Sequence, residues 1–211
     1  MHGDSMLEVE TPHGQANVRL HRVDEPRAAL ALGHGAAGGV SSPDLVAVTD
    51  VARSEGMSVA LVEQPYRVAG RRSPAPVHQL DAAWLAVIEQ LVAGELGGLP
   101  LIAGGRSLGG RVACRTAEAT GAVAVLCLAF PLQPPRRPPR PPAASRLPEL
   151  DQLRVPTLVV QGEKDPFGIP PAAANRTVVQ VPGNHSLRTD VEAVATAVRG
   201  WLAEQAAGAQ R

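Results

Sequence analysis

Lysine is nearly missing from this chain. Lys164 stands alone, and arginine supplies the rest of the 20 Lys and Arg residues. Acidic residues also number 20, so the formal net charge is zero and there is no general attraction to nucleic acid or an anionic membrane. Aromatic residues make up 2% of the chain, which leaves no stacking platform for single strands or sugars. Cysteine occurs only at Cys114 and Cys127, too sparsely for a disulfide framework, and the expectation is two buried, reduced thiols. No apolar stretch approaches the length of a membrane span, and Met1-His2-Gly3-Asp4-Ser5 has no apolar signal core. The histidines lack metal-ligand spacing, so no metal is expected. These absences favour a cytoplasmic protein, monomer or homodimer, that handles a small molecule. The arginine bias, with abundant Ala, Gly, Pro and Val, fits a GC-rich bacterial coding sequence.

What is present suits one globular domain over residues 1–211, with 45% hydrophobic content to fill a core. Leu7 to Thr11 and Ala16 to Val23 alternate apolar and polar residues around Pro12-His13-Gly14, which predicts an N-terminal antiparallel hairpin. From Ala28 the pattern changes to short apolar runs separated by helical stretches. This is the signature of a mostly parallel sheet with helices on both faces. The runs are Ala28 to Leu32, Ser58 to Val62, Pro100 to Ala103, Ala122 to Phe130, Pro156 to Gly162 and Thr177 to Val181. Helices are expected from Pro43, with Ser42 as N-cap, to before Gly56, over about Val77 to Leu96, over Arg111 to Ala119, and over about Asp190 to Ala206 with a Thr189/Glu192 capping box.

The segment Gly104-Gly105-Arg106-Ser107-Leu108-Gly109-Gly110 lies between an apolar strand and a helix. A serine at the apex of such a strand–turn–helix unit, with glycine two positions to either side, has the form of a nucleophile elbow. Side chains at 105 and 109 would collide with neighbouring strand or helix, and the turn directs the Leu108 amide at a helix start where anionic oxygen is favoured. A bare G-x-S-x-G arises by chance in a glycine-rich chain, so the pattern needs partners. Asp165 and His185 supply them. Each follows a separate apolar strand, so in a parallel sheet both emerge with Ser107 at the carboxyl edge. In that set Ser107 is the candidate nucleophile, His185 its base, and Asp165 the group that fixes the imidazole tautomer. A second oxyanion donor is expected from the Gly33-His34-Gly35-Ala36-Ala37-Gly38-Gly39 loop, with the Ala36 amide preferred and Ala37 the alternative. His34 reads as a structural residue of that loop.

Together, LGHGAAGG, VEQPYRVAGRR, GGRSLGG, LAFPLQPP, VVQGEKDPFG and PGNHSL resemble the small α/β hydrolases of the dienelactone-hydrolase-like group. More narrowly, they are similar to the family that contains testis-expressed and NSL-complex-subunit homologues. The resemblance spans about Ala28 to Ala206. It implies an α/β-hydrolase fold, Ser107, Asp165 and His185 as a triad, and serine-hydrolase activity on an ester-type substrate with no cofactor. Relatives tend to carry His where Gln133 stands, followed by a shorter and more charged segment.

Two rival readings come from other classes. Some family members act as scaffolds, so membership alone does not secure catalysis. Gly33-His34-Gly35-Ala36-Ala37-Gly38 also fits a dinucleotide fingerprint with Glu63 as the ribose acid, but Ser42-Pro43 delays the helix too far past the last glycine. The interval from Pro131 to Pro148, with Arg136, Arg137, Arg140 and Arg146 among its prolines, cannot form a helix or a central strand. It reads as a surface connection in place of a lid, which predicts no helical cap and an open site. Tyr66, Arg71, Arg72 and Arg106 are the candidates for substrate binding at the mouth. They are expected either to hold the loop by ion pairs or to recognise a substrate anion.

Overall fold

The computed structural model describes residues 3–208 except 137, 140 and 142. Arg137 and Arg140 of the proline-rich run therefore lie outside the described residues. The alternating N-terminal stretch pairs as an antiparallel hairpin of β1 (Ser5–Thr11) and β2 (Gly14–His21). One face of each strand is apolar, and Val9, Ala16, Val18 and Leu20 are fully buried. The apolar runs that follow form β3 (Ala28–Gly33), β4 (Met57–Glu63), β5 (Leu101–Arg106), β6 (Ala124–Leu128), β7 (Thr157–Gly162) and β8 (Arg176–Val181). All eight strands belong to one sheet in the order β1-β2-β4-β3-β5-β6-β7-β8. From β4 to β8 every neighbour is parallel, and only β2 joins β4 antiparallel.

The helices are α1 (Pro43–Ser54), α2 (Pro65–Val68), α3 (Val77–Ala93), α4 (Leu108–Thr116), α5 (Leu147–Asp151) and α6 (Val191–Gly208). They cover both faces, as the alternation within β3 shows. Ala29 and Ala31 pack with Trp84, Val87 and Ile88 of α3 and Val112 of α4. Ala28, Leu30 and Leu32 pack with Leu45 and Val48 of α1 and Val198 and Leu202 of α6. A strand buried on both sides has to be apolar at every position, which is why these runs do not alternate. Each large side chain so buried contributes about 1.5–3 kcal/mol.

Three helix boundaries differ from expectation for identifiable reasons. α3 stops at Ala93 and not near Leu96, because Gly94 leaves helical geometry with φ −123° and ψ −102°. α4 runs from Leu108 to Thr116 and not from Arg111 to Ala119, because it begins directly behind the turn at Ser107. α1, by contrast, starts at Pro43 as expected, although Ser42 makes no side-chain cap bond. α6 is capped by Asp190, whose Oδ1 accepts the Ala193 amide at 2.9 Å, and not by Thr189. Between β6 and β7 the only helix among the described residues is the five-residue α5, so no helical cap stands over the carboxyl edge.

Candidate active site

The elbow is built by close backbone approach. Ser107 has φ 51° and ψ −104°, a conformation that non-glycine residues rarely hold, between the last residue of β5 and the first of α4. Its amide donates to the Leu128 carbonyl at 2.8 Å and extends the β5–β6 pairing up to the turn. A Cβ on Gly109 would lie 2.2 Å from the Gly33 carbonyl oxygen, and one on Gly105 would lie 2.4 Å from the same atom. Both positions therefore require glycine for α4 to sit against β3.

The other two residues stand on the loops after β7 and β8. Those loops are tied together: the Glu163 amide donates to the Val181 carbonyl at 3.0 Å and the Lys164 amide to the Gly183 carbonyl at 2.8 Å. Ser107 Oγ is 2.9 Å from His185 Nε2, and His185 Nδ1 is 2.8 Å from Asp165 Oδ2. A neutral His185 with its proton on Nδ1 donates to Asp165 and leaves Nε2 free to accept from Ser107. Asp165 has a fully buried side chain. Its Oδ1 accepts the Phe167 amide at 2.9 Å, and its Oδ2 also accepts from Gln161 Nε2 at 2.7 Å. The Phe167 ring lies against the His185 ring, with centroids 4.4 Å apart.

The carboxyl edge of a parallel sheet, a strained serine, and a histidine and carboxylate in hydrogen-bonded line define the architecture. A family model described as an alpha/beta hydrolase domain matches residues 26–201. The chain belongs to the alpha/beta hydrolase family. Similar solved structures share its fold at low identity. A Xanthomonas campestris serine hydrolase without a lid has TM-score 0.70 and 18% identity over 95% of this chain and 96% of that one. Est1E from Butyrivibrio proteoclasticus has TM-score 0.75 and 18% identity over 96% and 99%. Dienelactone hydrolase from Anabaena variabilis has TM-score 0.75 and 16% identity over 99% and 98%. No curated protein sequence matches the chain.

A cavity of about 330 Å³ opens at Ser107 of this alpha/beta hydrolase. Ala36 and Leu108, the two expected oxyanion donors, both line it. Among the described residues neither of their amides donates a hydrogen bond to a protein acceptor, so both remain available. The loop that carries Ala36 is fixed from behind. Tyr66 Oη donates to the Ala36 carbonyl at 3.0 Å, and His34 accepts the Gln64 amide on Nε2 at 3.1 Å while Nδ1 donates to the Gly35 carbonyl at 2.8 Å. Burial pushes the His34 imidazole below its ordinary pKa, in keeping with the neutral form these bonds require.

The four residues expected to bind substrate do not line this cavity. Tyr66 is turned inward onto the Ala36 carbonyl, with 1% of its surface exposed. Burial raises its phenol pKa to about 12. Arg71 follows the turn of α2, its amide bound to the Tyr66 carbonyl at 2.8 Å, and lines a separate small crevice of about 10 Å³ beside His13 and Gln79. Arg72 is exposed, outside the residues around Ser107. Arg106 points behind the elbow. Its Nε is 2.8 Å from Asp44 Oδ2, an ion pair with a fully buried carboxylate, and its Nη2 donates to the His185 carbonyl at 3.0 Å. Arg106 thus braces the His185 loop against α1. The cations at the cavity are instead Arg111 and Arg146. Gln161 and Phe167 also escaped the sequence reading, since a glutamine at a strand end and a phenylalanine in a turn carry no periodic signal.

Cys114 and Cys127 are free and buried, their sulfurs 3.4 Å apart beneath α4. The hydrogen bond with the Cys127 sulfur, and then burial, drive the Cys114 thiol well above its ordinary pKa, so it is a poor nucleophile. No helix among the described residues is long and apolar enough to cross a membrane.

Proposed function

We propose that this protein is a serine hydrolase that cleaves carboxylic esters through an acyl-enzyme at Ser107, with thioesters and lactones accessible to the same chemistry. His185 Nε2 takes the Ser107 proton as Oγ attacks the substrate carbonyl carbon. The Leu108 and Ala36 amides receive the negative charge that develops on the carbonyl oxygen. Collapse breaks the carbon–oxygen bond to the alcohol, which leaves with the proton held by His185. Water then attacks the acyl-enzyme with His185 again as base, releasing the acid and restoring Ser107. Asp165 accepts the hydrogen bond from His185 Nδ1–H throughout, which fixes the tautomer, and stabilises the imidazolium.

The observation that carries this reading is the unbroken line Ser107 Oγ–His185 Nε2 and His185 Nδ1–Asp165 Oδ2 at 2.9 and 2.8 Å. Ferulic acid, a carboxylic acid, is bound in Est1E, which supports an ester-type substrate for this chain. The quoted sequence stretches further support a place beside the testis-expressed and NSL-complex-subunit homologues. A fluorophosphonate probe is expected to label Ser107 alone. Ser107→Ala is expected to abolish both labelling and ester hydrolysis with little change in Tm, because a hydroxyl on a turn contributes little packing. A folded wild-type protein that neither reacts with the probe nor turns over any activated ester would leave a fold retained for binding, and the enzyme reading would fail.

A further inference from the structure

Three guanidinium groups, of Arg111, Arg115 and Arg146, converge on the α4–α5 side of the cavity, and two carboxylates, Glu149 and Asp81, pair with the first two of them. Arg111 makes a bidentate pair with Glu149, at 2.8 and 2.5 Å. Arg115 makes another with Asp81, at 2.9 and 2.6 Å, and reaches Glu149 at 3.3 Å. Arg146 is the third, and among the described residues no carboxylate lies within ion-pair distance of it. Among the described residues its side chain donates from Nη1 alone, to the Pro131 carbonyl at 3.0 Å, while its main-chain amide is held by the Leu132 carbonyl at 2.8 Å. The guanidinium is therefore anchored with most of its five donors unused. Burial first and then the charge of Arg111 push its pKa down, with a smaller push from Arg115, while the Glu149 charge opposes them. An arginine remains cationic under any such shift.

Arg146 and Arg111 line the same cavity as Ser107, and no acidic residue does. The rest of the wall, including Ala75, Val77, Leu80, Leu108 and Phe167, is apolar. An excess cation in a largely apolar recess attracts an anion more strongly than one in open water. On the serine-hydrolase reading above, we propose that Arg146 makes this cavity selective for esters that carry a carboxylate a few bonds from the scissile carbonyl. The apolar wall takes the intervening carbons and Arg146 takes the carboxylate. This is the role that the sequence suggested for Arg71 and Arg72, moved to a residue of the proline-rich connection.

The test compares kcat/KM for matched esters in wild type, Arg146→Gln, Arg146→Lys and Arg146→Glu. One arm places the charge on the acyl side, p-nitrophenyl hydrogen glutarate against p-nitrophenyl valerate. The other places it on the leaving group, 4-acetoxybenzoate against phenyl acetate. In the arm that matches the cavity, the anionic-to-neutral ratio is expected to fall about ten- to a hundredfold in Arg146→Gln, the value of one charge-assisted hydrogen bond. It should recover in part in Arg146→Lys, fall further in Arg146→Glu, and shrink in wild type as salt rises. Because the ratio is internal to each preparation, a partly unfolded variant does not mimic the effect. A ratio unmoved by Arg146→Gln in both arms, with Ser107 still labelled and neutral esters still cleaved, overturns this inference alone. Absence of labelling and of all turnover overturns the hydrolase reading along with it.

Discussion

A carboxylate that serves His185 has to be held still, and the side chain that does this for Asp165 is Gln161. Its Nε2 faces three acceptors, Asp165 Oδ2 at 2.7 Å, Gly168 O at 2.9 Å and Phe130 O at 3.0 Å. Its Oε1 is buried with no partner among the described residues. The orientation is nevertheless fixed, because turning the amide over would set an oxygen against those acceptors. An orphaned buried carbonyl costs about 1–3 kcal/mol, a cost that a charge-assisted donation to Asp165 offsets. Gln161→Leu is therefore expected to lower kcat about ten- to a hundredfold while KM moves by less than about threefold, since the change acts through Asp165 and His185 and not on bound substrate. Steady-state kinetics, corrected for folded fraction by denaturant melts, decides the matter. Activity that falls only in step with the folded fraction would assign Gln161 to packing. Sequence alone does not single this residue out, because glutamine at the end of a strand looks like the first residue of a solvated turn.

At the scale of elements, the loop from Gly33 to Gly39 depends on the turn that follows β4. Pro65-Tyr66-Arg67-Val68 is one helical turn, too short to show periodicity, so it was not legible as a helix. Yet that turn carries Arg71 away from Ser107 and brings Tyr66 beneath Ala36. The Gln64 amide bond to His34 Nε2 is the other tie, and it exists only while the imidazole is neutral. Burial is the largest influence and lowers the His34 pKa in the folded state. Arg67 also lowers it, while Glu63 and the Gly35 carbonyl oppose the change. As pH falls, the unfolded chain takes up a proton at this site first, near the ordinary imidazole value of about 6.5. The stability that neutral His34 confers is therefore complete above about pH 6.5 and is lost as pH drops from there through the lowered folded value. Urea unfolding between pH 7.5 and 5 is expected to show a steeper loss for wild type than for His34→Gln. Equal slopes would remove His34 from the acid side of the stability curve.

For the whole molecule, the parallel sheet and the serine–aspartate–histidine order could be read from the sequence for one physical reason. Strands buried on both faces are runs of unbroken apolar residues, and the segments that follow them in a parallel sheet must gather at one edge. What lies across that edge was less legible, because burial and charge pairing arise from contacts between distant segments. The buried Arg106–Asp44 pair and the unmatched Arg146 are both of this kind. The proline-rich connection was recognisable as irregular, but not as a wall of the cavity. Its base is closed by Gln133 Nε2 on the Ala143 carbonyl at 3.0 Å and by the Arg146 amide on the Leu132 carbonyl at 2.8 Å. Pro131 and Arg146 thereby line the cavity, and among the described residues of the connection the only helix is α5. A recess of about 330 Å³ lies at the small end of ligand sites. Each methylene of an acyl chain gains about 0.8 kcal/mol only while protein surface remains to cover it. Once the wall is covered, further carbons run into solvent and gain nothing. For neutral p-nitrophenyl esters, kcat/KM is thus expected to peak at short chains and fall at least about tenfold by twelve carbons, with no jump in rate when substrate forms micelles. A rate that keeps climbing with chain length, or that rises at the micellar threshold, would mean that an apolar cover closes over Ser107 on binding and that the open edge is not the working state.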